Sequence, residues 1–194
     1  MITLGPISCV TIAVAQVQPL IDAYTLHLGY GLVDTGRISA QEAALWDRPL
    51  LAGRRFALML PGGEGHTYIR FVESKPDPNY VAFRHFGWNA AELMVQDVDK
   101  VAEQLADSPF KIIGPPADLS FSDKIRAMQV LGPAKESLYL THFKERLPEF
   151  DTPEPKHFID RTFITIVGGK TCESINAFYS KHFGVAKADA VPGV

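Results

Sequence analysis

A few side chains able to do acid–base and anion chemistry stand at alternate positions of short apolar runs. Glu92 lies in Ala91-Glu92-Leu93-Met94-Val95, Tyr68 and Arg70 lie in Tyr68-Ile69-Arg70-Phe71, and Tyr139 and Thr141 lie in Leu138-Tyr139-Leu140-Thr141. In half-apolar surroundings a carboxyl such as Glu92 has its charged form disfavoured, which tunes it toward general acid or base work near neutral pH. The alternative for Glu92 is a solvated or ion-paired strand residue. Arg70 offers the rigid two-pronged fork that grips a carboxylate or phosphate, or else it is the counter-ion of Glu92. Tyr68 and Tyr139, read as matching places in two hairpins, carry phenols that hydrogen-bond a carbonyl or enolate oxygen, unless they are core residues with satisfied hydroxyls. Thr11, Met94, Thr141 and His66 share the polar parity and complete a binding set. Cys9 is a possible nucleophile or soft ligand, although a small buried hydrophobe is the commoner role.

The elements that must position these groups repeat. Val10 to Tyr24 and Ala91 to Leu105 superpose without a gap at an offset of 81 residues. Each opens with the two-residue alternation of a strand, with Val10, Ile12 and Val14 in one and Ala91, Leu93 and Val95 in the other, and then changes to helical spacing. Phe56 to Phe71 and Arg126 to Phe143 read as hairpins, and Gly31 to Gly36 and Phe110 to Ile113 each supply a further strand. Each unit is therefore β-α-β-β-β. The boundaries are residues 1–84, 85–146, a Pro-rich linker over 147–160, and 161–194 for the opening strand and helix of a third, incomplete unit. A lone strand and helix cannot bury their apolar faces, so either the sequence is cut short or that half unit must find strands elsewhere.

With Tyr24, Leu28 and Gly29 closing the first helix, Val95-Gln96-Asp97-Val98 leaving the second unit's strand, and the two closing hairpin strands, the chain resembles the vicinal oxygen chelate superfamily. That group includes glyoxalase I, bleomycin and fosfomycin resistance proteins and extradiol dioxygenases. The resemblance implies an α+β fold of tandem βαβββ modules paired into an incomplete barrel around a cavity lined by the strand faces opposite the helices. It also implies a metal held by a first-strand His and a fourth-strand Glu. Here Cys9, Ala90 and Phe163 occupy the first-strand positions, and the closing strands carry no carboxylate. The usual metal site is thus expected to be lost and no cofactor is predicted; any atypical divalent metal would draw on His66, Glu92, His142 and Cys9. The function implied is a glyoxalase-like enzyme using enolate-type isomerase or lyase chemistry on a small carboxylate- or carbonyl-bearing substrate. Glu92, Tyr68 and Tyr139 would be catalytic, and Arg70, Thr11, Thr141, Met94 and His66 would bind substrate. The alternatives are a protein that sequesters a hydrophobic or aromatic molecule, and a metal-dependent dioxygenase or lyase.

Composition narrows the partners. Lys plus Arg total 19 against 22 for Asp plus Glu, giving a net charge of -3 without a basic run, which argues against nucleic acid. Two distant cysteines and no long apolar stretch lead to the expectation of a cytoplasmic protein without a membrane span. A homodimer is expected, from the family resemblance and from the third unit's unmatched strand edge. The long segment from Arg37 to Arg55 suits a lid. Phe83, Phe86 and Trp88 are expected to pack at the junction of the sheets. His27 and His182 recur beside Tyr24 and Tyr179 and belong to helix packing.

Overall fold

In a computed structural model, residues 4–147 and 154–187 are described. The alternating runs become β1 (Cys9–Val14) and β5 (Gly87–Val95), followed by α1 (Gln18–Leu28) and α3 (Val98–Leu105). The first unit adds β2 (Tyr30–Arg37), α2 (Ala40–Leu45), β3 (Arg55–Pro61) and β4 (Tyr68–Glu73). The second adds β6 (Lys111–Leu119), β7 (Ser122–Leu131) and β8 (Ser137–Phe143). The third start folds as β9 (Ile159–Gly168) and α4 (Cys172–Phe183). Pro148 and Pro153 of the expected linker lie outside the described residues.

The strands form two sheets, ordered β1-β4-β3-β2 and β6-β7-β8-β5-β9. In each unit the first strand runs parallel to the last, β1 to β4 and β5 to β8, and the hairpins are antiparallel. β9 answers how the half unit survives: it pairs antiparallel along the free side of β5. The two sheets therefore share no strand.

One hydrophobic core joins the units. Ile69, Phe71, Ala91, Leu93, Val95 and Leu140 lie on the helix-bearing strand faces and cluster with Tyr24, Val101 and Leu105 from the helices. Burying a side chain of this kind stabilises by about 1.5–3 kcal/mol. Tyr24 is fully buried, with its ring edge-on to Phe71 of its own unit and to Phe110 of the next. His27 also packs on Phe110, and its carbonyl accepts a hydrogen bond from Gln104 Nε2 at 2.6 Å, a packing role across the unit boundary.

Two helices end alike, and α1 and α3 begin differently. Gly29 and Gly184 close α1 and α4 at φ 68° and 66°, backbone angles that favour glycine. α3 starts on Asp97, whose carboxylate accepts from the Lys100 N–H. α1 has no local side-chain cap; at its start the Val17 N–H donates to Glu73 Oε1, from β4, at 3.3 Å.

The expected lid is an ordered cover. Ser39 and Glu42 form a reciprocal capping box at the start of α2. Ile38 and Ala43 pack with Val72, flanked by Trp46, Leu51 and Phe56, on the face of the first sheet opposite α1.

Candidate active site

On the helix-free face of the second sheet, the parallel register places Glu92 beside Tyr139 and Met94 beside Thr141. Neighbouring strands lie about 4.8 Å apart, so these side chains touch across the sheet. The Thr141 hydroxyl donates to Glu92 Oε1 at 2.6 Å. Burial raises the Glu92 carboxyl above its ordinary range, while the Thr141 hydrogen bond pulls in the opposite direction. The Tyr139 phenol is raised too, by burial first and by the charge of Glu92 second. Met94 and Thr141 are buried and form the floor; Phe83 stands edge-on to Tyr139 with ring centroids 6.4 Å apart. A carboxyl that holds its proton unusually well, next to a phenol, can exchange a proton with a bound molecule while the phenol hydrogen-bonds an oxygen of the same molecule.

The first sheet carries a different pair at the same places. Thr11 stands beside Arg70, and both Nε and Nη2 of Arg70 donate to the Thr11 hydroxyl, at 3.0 and 2.9 Å. The guanidinium lies 4.4 Å from the ring centre of Trp46. Arg70 is thus no counter-ion of Glu92. The two sheets turn their helix-bearing faces to the shared core, so Arg70 and Glu92 stand on separate faces.

The registers also correct the matching of the tyrosines. Tyr68 pairs with Cys9 and Tyr139 with Glu92; with the units offset by 81 residues, Tyr68 corresponds to Ser137 and Arg70 to Tyr139. The hairpin turns differ in length, and turn length sets register. Phe86 and Trp88 are exposed, at 76% and 68%, rather than packed at the junction of the sheets.

The possible metal ligands are scattered. His66 is exposed in the turn before β4, and Cys9 is exposed on β1 of the first sheet. His142 sits next to Thr141 with opposite parity, near Asp99 at the start of α3, and so on the other side of the second sheet from Glu92. Among the described residues no three His, Cys, Asp or Glu side chains converge. The residues present do not fit the metal that the resemblance implies.

Two buried acids, Glu136 and Asp160, escaped the sequence, and Glu136 borders a cavity. Glu136, in the turn before β8, is 7% exposed and lies against a cleft of about 1020 Å³ between the units, also lined by Cys9, Tyr80, Trp88 and Thr165. The Tyr24 hydroxyl donates to it at 3.1 Å and the Ala134 N–H at 2.8 Å. Burial, opposed by these hydrogen bonds, pushes its carboxyl up to about 7. An acid in a Pro/Gly turn reads as solvated; Tyr24, from the other unit, helps to enclose it.

No family model and no curated protein matches the sequence. Solved structures do. Glyoxalase I from Zea mays superposes with a TM-score of 0.63 at 16% identity, over 92% of this chain and 55% of the maize chain. The chain has the glyoxalase fold. A glyoxalase family protein from Bacillus cereus agrees, with a TM-score of 0.55 at 15% identity over 72% of this chain and 95% of that one. The chain spans a little over half the length of the maize enzyme, and the glyoxalase fold as seen here consists of two complete units and the opening of a third. No helix among the described residues is long and apolar enough to cross a membrane.

Proposed function

We propose that this chain is a glyoxalase-like enzyme that abstracts and returns a proton next to the carbonyl or carboxylate of a small organic substrate, as an isomerase or lyase. The observation that carries the reading is Glu92: half-buried on an open sheet face, raised by burial, held by a single neutral hydroxyl, and adjacent to Tyr139. Glu92 as carboxylate takes the proton from the carbon next to the carbonyl. The Tyr139 phenol hydrogen-bonds the oxygen on which negative charge develops, and the Thr141 hydroxyl fixes the carboxylate that receives the proton. Return of the proton by Glu92, on the same face, to the former carbonyl carbon, while a hydroxyl on the first carbon passes its proton to the former carbonyl oxygen, isomerises the substrate; departure of a leaving group with its electron pair from the carbon on the other side completes a lyase reaction. Thr141 and Met94 shape the floor. Arg70 and Tyr68, on the other sheet, take no part in this step.

The test is deuterium wash-in from D2O at the activated carbon of a panel of small oxo acids and hydroxy acids, followed by proton NMR. The expected outcome is exchange on at least one compound, reduced about 10²- to 10⁴-fold in Glu92→Gln, the usual contribution of a general base. Binding of panel compounds without exchange in the native protein would overturn the enzymatic reading in favour of sequestration.

A further inference from the structure

The cleft between the units is separate from the Glu92 face. One wall is the side of β1 turned away from β4, and the other is made by the start of β5, the turn before β8 and Thr165 of β9. Glu92, Tyr139 and Thr141 lie outside its lining. At about 1020 Å³ it has room for a small molecule with a sizeable body, and Val10, Ile12, Val14, Ala90, Ala91 and Ala134 give it apolar walls.

Charge in the cleft is unevenly placed. Lys75, Asp77 and Lys135 are exposed, whereas Glu136 is buried. The chain leaves Gly132 bare beneath the Glu136 carboxyl, where any side chain would collide with it. The two carboxyl oxygens accept from the Tyr24 hydroxyl and the Ala134 N–H, which fills two of about four acceptor places. No Lys, Arg or His among the described residues forms an ion pair with it. A buried carboxylate without a cation is costly, and a ligand that brings one relieves the cost.

The neighbouring groups are acceptors as well. Beside Glu136, Ser137 borders the cleft, and its buried Oγ has no hydrogen-bond partner among the described residues. On the facing wall the Tyr68 N–H donates to the Ser8 carbonyl and the Ser74 N–H to the Val14 carbonyl. Successive residues of a strand alternate, so the carbonyls of Cys9, Thr11 and Ala13 turn away from β4, toward the cleft. Tyr80 completes the lining near the acid, its phenol raised by burial first and by the charge of Glu136 second. A primary ammonium has three N–H donors and no acceptor, which matches this set. A carboxylate or phosphate head would meet the like charge of Glu136.

We infer that the cleft is a second ligand site, for a primary amine with an apolar tail: the ammonium pairs with Glu136 and the tail lies between β1 and the start of β5. The site shares no residue with the proton chemistry at Glu92, so either can fail without the other.

The test is isothermal titration calorimetry with octylamine, octanol and octanoate, which share a tail and differ in the head. Octylamine should bind about 10- to 100-fold more tightly than the other two, the worth of a charge-assisted hydrogen bond. Glu136→Gln should remove that advantage and Glu92→Gln should keep it. Alkylation of the native chain by iodoacetamide locates the ligand without any variant: octylamine should slow modification of Cys9, which borders the cleft, several-fold, while Cys172, exposed at the start of α4, reacts as before. Octylamine that fails to bind, that binds no better than octanol, or that leaves Cys9 unprotected overturns the inference. So does amine binding that survives Glu136→Gln and is lost in Glu92→Gln, which would put the ammonium on the second sheet's open face.

Discussion

The two complete units share strand order and parallel closure, yet the paired positions on the sheet face turned away from α1 or α3 hold Thr11 and Arg70 in one and Glu92 and Tyr139 in the other. The first pair is cationic and tied to Trp46 under the α2 cover; the second holds a carboxyl raised by burial and remains beside Phe83 at an open rim. Duplicated scaffolds place equivalent side chains at equivalent points, and divergence at just those points gives each copy its own chemistry. The proposed proton transfer uses the second sheet; the first holds the Arg70 guanidinium against Thr11 and Trp46.

The largest effect separates the two faces directly. Glu92→Gln should lower proton exchange about 10²- to 10⁴-fold, whereas Arg70→Ala should leave it unchanged; equal losses would mean that the faces work as one site. Next comes the shared core: Phe110→Ala, which opens a hole against Tyr24 of the other unit, should cost about 3–5 kcal/mol, with both units melting in one urea transition. Two separate transitions would show the units to be independent.

Glu136 sharpens the comparison through pH. Its carboxyl holds a proton up to about 7 in the folded chain but only to the ordinary carboxylate range when unfolded. Between those values the native state binds more protons, so stability is full below about pH 4.5 and falls as pH rises to about 7, by about 3 kcal/mol in all from this group. Urea midpoints at pH 5 and 8 should differ in the expected direction for the native chain, and the difference should shrink in Glu136→Gln. The smallest effect is confined to the first unit: Ser39→Ala should cost about 1 kcal/mol and speed amide exchange in α2 without altering β5 or β8.

Much of the architecture was legible because its signals are local. Two-residue alternation in Val10-Ile12-Val14 and Ala91-Leu93-Val95 set which faces go under the helices, and the same parity put Glu92, Tyr139 and Thr141 on one face. Pairing between distant segments was not local. Tyr68 and Tyr139 look equivalent along the chain, and only the strand registers show that the turns shift one against the other. Glu136 is hidden for the same reason, since the tyrosine that buries it lies 112 residues earlier. Arg70 and Glu92 are apart because β4 and β5 belong to different sheets, and a strand does not announce its partner in its own composition.

The unlike helix starts carry a consequence for the order of folding. α3 finds its cap in Asp97 within its own first turn, so it can begin while the chain around it is still open. At the start of α1 the Val17 N–H bonds a carboxylate 56 residues further on, which arrives only when β4 has docked beside β1. Loop closure of that length must come first. The second unit is thus the expected seed of the molecule and the first the part that condenses onto it, an order that pulse-labelled amide exchange during refolding would read as early protection in α3 and late protection in α1.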